Sequence, residues 1–322
     1  MDKLSLIKSP IESEYALFQE KFSAALDSGN PLLNAALQHI QKAAGKLMRP
    51  ILTLLSAKVF GTPNDKTYNS AISLEMLHNA SLVHDDVIDE SDTRRGQPSI
   101  KALFNNTAAV LIGDYLLSTS LKYISYIDTR SVGVMSDVAQ QLAAGELLQM
   151  NNIQTSSFSE ESYFEMIGQK TASLFTACGE LGALSMNATE TDVQAMRRFT
   201  EIIGVVFQIR DDVFDYFTSD VGKPTGNDLK EGKLTLPALY VVNHCNDDEI
   251  IEIAHDIRTL DASPEQIEMF SEYVKTHGGI EYAEETMQRM CQEAEDYIPK
   301  TAPNEVRQAL LAYLDFVVQR TK

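Results

Sequence analysis

Long stretches of this chain place apolar residues three and four apart, and in two of them the same acidic pattern breaks the apolar run. Asp85-Asp86-Val87-Ile88-Asp89 follows Ala80-Ser81-Leu82-Val83-His84, and Asp211-Asp212-Val213-Phe214-Asp215 follows Val205-Val206-Phe207-Gln208-Ile209. This periodicity is helical, and segments such as AAVLIGDYLLSTSLKYISYI are apolar almost all round, which suits the middle of a bundle. Alternating, β-branched, turn-bounded runs are almost absent. Breakers punctuate the chain at Gly29-Asn30-Pro31, Gly61-Thr62-Pro63, Gly96-Gln97-Pro98 and between Gly222 and Gly232. Thr189, Thr191 and Ser263 stand where helix N-caps are expected. The expected fold class is all-α: a single domain over residues 1–322, a bundle of ten or more helices without any linker long enough to separate one domain from another.

Each acidic cluster is an unusual thing to embed in an apolar helix, because an unpaired buried carboxylate is strongly disfavoured. Positions i and i+4 share one helix face, roughly 5–6 Å apart at Cβ. Asp85 with Asp89, and Asp211 with Asp215, therefore form small combs of hard oxygen ligands, flanked by Asp86 and Asp212. Two such combs facing each other suit Mg²⁺ and a diphosphate, since Mg²⁺ is usually bound by one or two carboxylates plus phosphate oxygens. The alternative for the first comb is a solvated acidic turn neutralised by a local salt bridge.

The formal charge of −19 is opposite to the basic stripe of a nucleic-acid binder. It also requires basic residues or bound metal wherever a phosphorylated substrate docks. The N-terminal stretch lacks the apolar region of a signal peptide, and no run of about 18 apolar residues is present, so a cytoplasmic protein without a membrane span is expected. No basic amphipathic anchor argues for stable membrane attachment. Cys178, Cys245 and Cys291 are widely spaced and form no CxxC pair, which reads as reduced thiols.

Basic residues accompany both combs. Arg94 and Arg95 follow the first, and Arg is suited to bidentate phosphate recognition. Lys223, Lys230 and Lys233 follow the second in a Gly-rich stretch that is not a P-loop, and that by itself reads as a surface loop or a phosphate lid. Lys46 and Arg49 sit three apart at the start of a helical run, where they either hold an anion or are simply solvated. His78 lies seven residues before Asp85, nearly on the same face, as a core residue or a ligand. His84 neighbours Asp85, but hard Mg²⁺ prefers oxygen. Lys170 lies on a helix of small and apolar residues, where a buried ammonium needs an anion nearby or must snorkel.

Taken together, GKLMRP, HDDVIDESDTRRGQP, QKT, FQIRDDVFDY and GKPTGNDLKEGKLTLP resemble, in order, the motifs of the trans-isoprenyl diphosphate synthase (polyprenyl synthetase) family. The matches cover roughly residues 40 to 240 and depart only slightly, with Ala44 for a glycine and Met48 for an aliphatic residue. The resemblance implies the isoprenoid synthase fold, with helices around a deep central cavity, and a homodimer. It implies a Mg²⁺ cofactor, roughly three ions per active site, on Asp85, Asp86, Asp89, Asp211, Asp212 and Asp215. It places Arg94, Lys170, Lys223 and Lys233 on the allylic diphosphate, and Lys46, Arg49, His78 and Arg95 on isopentenyl diphosphate. Lys170, Thr171, Phe207 and Gln208 would sit by the reacting groups. The implied reaction is head-to-tail condensation after Mg-assisted ionisation, with the departing diphosphate taking the final proton and water excluded from the cation.

Product length should follow from what plugs the cavity below the first comb. Ala80 and Ser81 are small, and a floor moved one turn, about 5.4 Å, deeper admits a longer chain. Leu77 is the nearest lower candidate, with Ser73, Leu74, Leu117 and Tyr123 beyond it. A long-chain polyprenyl product delivered to a membrane is expected, with a geranylgeranyl- or farnesyl-length product as the alternative. A class I terpene cyclase and a non-catalytic synthase subunit are the rivals. The first would not need the Lys46, Arg49 and His78 set, and the second would be expected to lose a comb.

Overall fold

The helical periodicity becomes helix almost throughout the computed structural model, which describes residues 3–43, 45–154, 158–217, 226–245 and 247–320. Its longest helices are Asp65–Ile88, Asn106–Ile124, Thr129–Gln154 and Glu190–Asp215. Among the described residues the only strands are Thr93–Arg94 and Gln97–Pro98, paired antiparallel. Their turn places Arg95 at φ 53° and Gly96 at φ 74°. Two consecutive positive φ values are what a tight hairpin with right-handed strand twist requires. The all-α expectation holds, and the exception is this ribbon.

The chain forms two compact units. One comprises Met1–Gln140, Leu174–Thr200 and Tyr297–Tyr313, the other Gln141–Ser173, Glu201–Asp296 and Leu314–Lys322. No single linker separates them in sequence, since each draws on three separate stretches.

In the first unit, Asn64 caps the Asp65–Ile88 helix by accepting from the backbone of Lys66 and Thr67, and Thr67 returns a bond in a capping box. Every residue from Ser70 to Ala80 is buried, which explains an apolar pattern running all round the helix. Its neighbour, Asn106–Ile124, comes close because small residues line the contact. Ser73 Oγ donates to the Ser120 carbonyl at 2.8 Å, and a Cβ on Gly113 would lie 2.2 Å from His84 Nε2.

In the second unit, Leu236–His244 and Gly279–Glu295 pack so tightly that a Cβ on Gly279 would sit 2.6 Å from the Pro237 carbonyl oxygen. Tyr240 and Tyr282 stack across this contact at 4.3 Å between centroids. Ser263 is a capping-box N-cap, as expected. In the first unit, Thr189 caps Glu190–Asp215 by accepting from the Asp192 backbone, whereas Thr191, also expected as a cap, lies inside the first turn. The upstream hydroxyl takes the cap because it alone precedes the first helical residue.

Candidate active site

The first comb ends the Asp65–Ile88 helix. Asp85 is half-buried, Asp89 is exposed at the helix end, and Asp86 is buried, 2% exposed. Arg94 Nε donates to Asp86 Oδ1 at 2.7 Å. The hairpin makes this possible by folding Arg94 back toward the helix that precedes it. Burial pushes the Asp86 carboxyl up, and the Arg94 guanidinium offsets some of that rise. His84 Nε2 faces the neighbouring helix, 3.6 Å from Asp114 Oδ1, and so belongs to helix packing.

The cations expected for isopentenyl diphosphate gather in the same unit. Arg49 Nη1 and His78 Nε2 are 2.9 Å apart, and the Arg49 guanidinium lies over the Phe175 ring at 4.6 Å. Arg49 Nε is buried without a hydrogen-bond partner among the described residues, a donor that an anion would satisfy. Arg95 Nη1 donates to the Ala43 carbonyl at 3.1 Å. A Cβ on Gly45 would be 3.3 Å from the Arg95 guanidinium, so the glycine before Lys46 leaves room for that cation. Lys46 itself is exposed on this loop, and Leu47 turns the chain through φ 51° into the Met48–Lys58 helix. Burial and then the charges of Arg49, Arg95 and Arg94 hold His78 well below its ordinary value, so it is neutral.

One residue here carries no warning in the sequence. Glu75, one turn before Asn79, is 5% exposed, and burial raises its carboxyl to about 7 against the pull of Arg49 and Arg95. In sequence it is one more position of an apolar helix, and only the fold shows that it shares a neighbourhood with two guanidiniums.

The second comb ends the Glu190–Asp215 helix, and its middle member Asp212 lines a cavity of about 390 Å³ within the second unit. Lys170, Thr171, Gln208, Asp212, Asp228 and Lys233 all line it. The Lys-Thr element sits on a π-helical turn, Gly168–Ala172, a distortion often found at functional sites. Lys170 is ion-paired with Glu146, and its Nζ donates to Gln149 Oε1 at 3.2 Å. The anion that a buried lysine needs is thus supplied by the protein in this state. Gly145 admits the approach: a Cβ there would lie 2.5 Å from the Lys170 backbone nitrogen.

The three aspartates of this comb are engaged differently. Asp211 Oδ1 accepts from Arg320 at 2.5 Å, and the Arg320 guanidinium covers the Phe207 ring at 3.8 Å. Asp212 accepts from Tyr163 Oη on one oxygen and from Gln208 Nε2 on the other. Asp215 Oδ2 accepts from the Asp228 backbone N–H at 2.9 Å. Burial, and then the neighbouring carboxylate Asp228, raise Asp212; burial and Asp215 raise Asp228. Lys233 pairs with Glu231 at 2.5 Å. Lys223 lies outside the described residues, as does Ala44. Glu146 and Tyr163 have no separate signal in the sequence, Asp228 enters only as part of the motif GKPTGNDLKEGKLTLP, and Arg320 only through the C-terminal stretch LDFVVQRTK, which resembles the basic C-termini of the family.

A divalent cation fits this chemistry: the donors are hard oxygens, and besides burial the nearby carboxylates raise Asp212 (Asp228 and Asp211) and Asp228 (Asp215 and Asp211). Among the described residues no three His, Cys, Asp or Glu side chains converge as a protein-only metal cage. Phosphate oxygens would have to complete any Mg²⁺ shell here. For product length, Ala80 and Leu77 are buried, Ser81 Oγ donates to the His78 carbonyl at 3.0 Å, and Ser73 is closed against Ser120. Leu74 is buried, while Leu117 and Tyr123 are half-buried.

Comparison with known proteins agrees with this organisation. The polyprenyl synthetase family model matches residues 30–274. An octaprenyl diphosphate synthase of Haemophilus influenzae is 34% identical over 90% of both chains. A geranylgeranyl pyrophosphate synthase structure from Bacteroides thetaiotaomicron is 44% identical with a TM-score of 0.87, covering 99% of this chain and 100% of that one. A decaprenyl diphosphate synthase structure from Rhodobacter capsulatus is 30% identical with a TM-score of 0.92, covering 99% of each. With the motifs in order, the helices that carry them and relatives alike over nearly their whole length, the chain belongs to the polyprenyl synthetase family of prenyl-transferring enzymes.

Proposed function

We propose that this enzyme condenses isopentenyl diphosphate with an allylic diphosphate, head to tail, and releases a long-chain polyprenyl diphosphate. The observation that carries the reading is the cavity of about 390 Å³ that gathers Lys170, Lys233, Thr171, Gln208, Asp212 and Asp228 on its walls. Lys170 and Lys233 hold the allylic diphosphate once their pairs with Glu146 and Glu231 open toward the incoming phosphate. Arg94, which pairs with Asp86 in the first unit, is assigned to the allylic diphosphate by its place in the motif HDDVIDESDTRRGQP. Mg²⁺, when bound with the acidic motifs, would supply electrostatic stabilisation of the negative charge that grows on the leaving diphosphate. The carboxylates that would meet it are Asp85 and Asp89 of the first motif and Asp211 and Asp215 of the second; Asp86 and Asp212 are buried and would act through the partners they already hold.

Isopentenyl diphosphate is held by Arg49 and Arg95, with neutral His78 as a hydrogen-bonding partner and Lys46 at the loop. Thr171 and Gln208 present oxygen atoms toward the carbon that becomes cationic, and Phe207 packs nearby under Arg320. The homoallylic double bond then attacks, and the released diphosphate takes the proton. Among the described residues, no helix is long and apolar enough to cross a membrane, and the reading has the protein act from the cytoplasm as a homodimer.

Small side chains at Ala80 and Ser81 support a product of quinone side-chain size. A geranylgeranyl product is the second reading, favoured by the 44% identity to a synthase of that name. The test is incubation of the purified chain with Mg²⁺, farnesyl diphosphate and isopentenyl diphosphate, followed by chromatography of the products. A ladder beyond C20 is expected. A single C20 product establishes the second reading, a cyclic hydrocarbon a cyclase, and no reaction a non-catalytic subunit.

A further inference from the structure

Four cavity-lining residues of the second unit form one continuous hydrogen-bonded chain. Thr171 Oγ1 donates to Gln208 Oε1 at 2.8 Å, and Gln208 Nε2 donates to Asp212 Oδ1 at 2.8 Å. At the far end, the Tyr163 hydroxyl donates to Asp212 Oδ2 at 2.5 Å. Tyr163 and Asp212 are each 3% exposed, so water does not compete for the bond between them. Tyr163 is held in turn by the Glu160–Ile167 helix, capped by Ser159, and packs edge-on against Phe164 at 5.3 Å.

The order of donors fixes an orientation. The Gln208 amide presents its NH₂ group to Asp212 and turns its oxygen the other way, where it accepts from the Thr171 hydroxyl. Asp212 can impose this only while its own plane is fixed. A carboxylate bonded at one oxygen can rotate about its last torsion, whereas one bonded at both cannot. Tyr163 supplies the second bond. It also satisfies an oxygen of a side chain that is almost fully buried.

We propose that Tyr163 is a positioning residue for prenyl transfer: acting through Asp212, it locks the Gln208 amide so that its oxygen, with that of Thr171, faces the carbon that becomes cationic. The inference rests on the elongation chemistry proposed above. Oriented oxygen dipoles stabilise positive charge only as it develops, so their loss is felt in turnover and not in substrate binding. The Tyr163 hydroxyl is spent on Asp212, so the residue acts through that side chain and not on the reacting atoms.

The test is a double-mutant cycle in the full-length enzyme with Mg²⁺. Tyr163→Phe is expected to lower kcat about tenfold, the worth of one buried hydrogen bond, with KM for both substrates within about twofold. In the Gln208→Leu background, the same substitution is expected to cost nothing more. Calorimetric binding of Mg²⁺ with a non-ionising thio-analogue of the allylic diphosphate is expected to be unchanged. Asp212→Asn, close in shape, provides a second entry to the cycle if the phenylalanine variant does not fold. Unchanged kcat, an additive cycle, or weakened analogue binding each overturns the proposal, the last by placing Tyr163 in the diphosphate site. A wild-type enzyme that fails to elongate overturns the function reading instead, so the two failures are distinguishable.

Discussion

Gly145 offers a severe test of how the Lys170-Thr171 element is placed, because the fault introduced would be backbone against backbone. In Gly145→Ala, the new Cβ would lie 2.5 Å from the Lys170 nitrogen and 2.9 Å from its Cα. An ordinary contact begins near 3.4 Å, so one of the two segments must move by roughly 0.9 Å. Neither is a flexible side-chain end that could swing away. Overpacking of this kind costs about 1–3 kcal/mol. The functional cost should be larger than the stability cost, because the displaced turn carries Lys170, its pair with Glu146 and the Thr171 hydroxyl. A misplacement of about 1 Å at reacting groups can cost on the order of a hundredfold in rate. The assay is steady-state elongation beside thermal unfolding. Gly133→Ala, on the same helix and with nothing within 4 Å of its Cβ, is the control. It should leave kcat unchanged and stabilise by about 0.5–1 kcal/mol through helix propensity. A Gly145→Ala enzyme with wild-type kcat and melting temperature would refute the claim that this glycine exists to admit the Lys170 backbone.

Three other perturbations probe separate regions of the site. Ala80→Phe or Ser81→Phe should shorten the main product, read by reversed-phase chromatography; an unchanged ladder would mean that the floor lies elsewhere. Glu75→Gln should remove a pH slope in stability. Burial raises the folded carboxyl from 4.5 to about 7, so its contribution is full below 4.5 and is lost as pH rises to 7, by about 3 kcal/mol. Denaturant titrations should show that decline in the wild type and a flatter profile in the variant; parallel profiles would count against the buried assignment. Arg320→Gln should release Asp211 from a partly exposed ion pair worth about 1 kcal/mol, and so lower the Mg²⁺ concentration for half-maximal activity about fivefold. An unchanged Mg²⁺ requirement would separate Arg320 from metal binding.

The features of this site that are legible in the sequence are those where chemistry and local geometry coincide. Asp85 with Asp89 and Asp211 with Asp215 declare themselves because their spacing is set by one helix, and Ser263 because a capping box closes within three residues. Arg49 and His78 are legible only as candidates, since the 2.9 Å approach between them depends on two helices meeting. What stays hidden is the set of partners chosen at long range. Tyr163 reaches Asp212 across 49 positions and Arg320 reaches Asp211 across 109, and no local pattern encodes either choice. The consequence is chemical. Read from sequence, each comb is three equivalent metal ligands; in the fold, Asp212 and Asp86 are each held by donors under burial, while Asp211 is held by a partly exposed guanidinium. On the function proposed above, a divalent ion at the second comb would compete with that guanidinium at Asp211, but with a tyrosine, a glutamine and burial at Asp212. The difference between those two costs would give the repeated acidic pattern the internal division of labour that the proposals require, with one carboxylate exchangeable for ions and its neighbour fixed to orient Gln208.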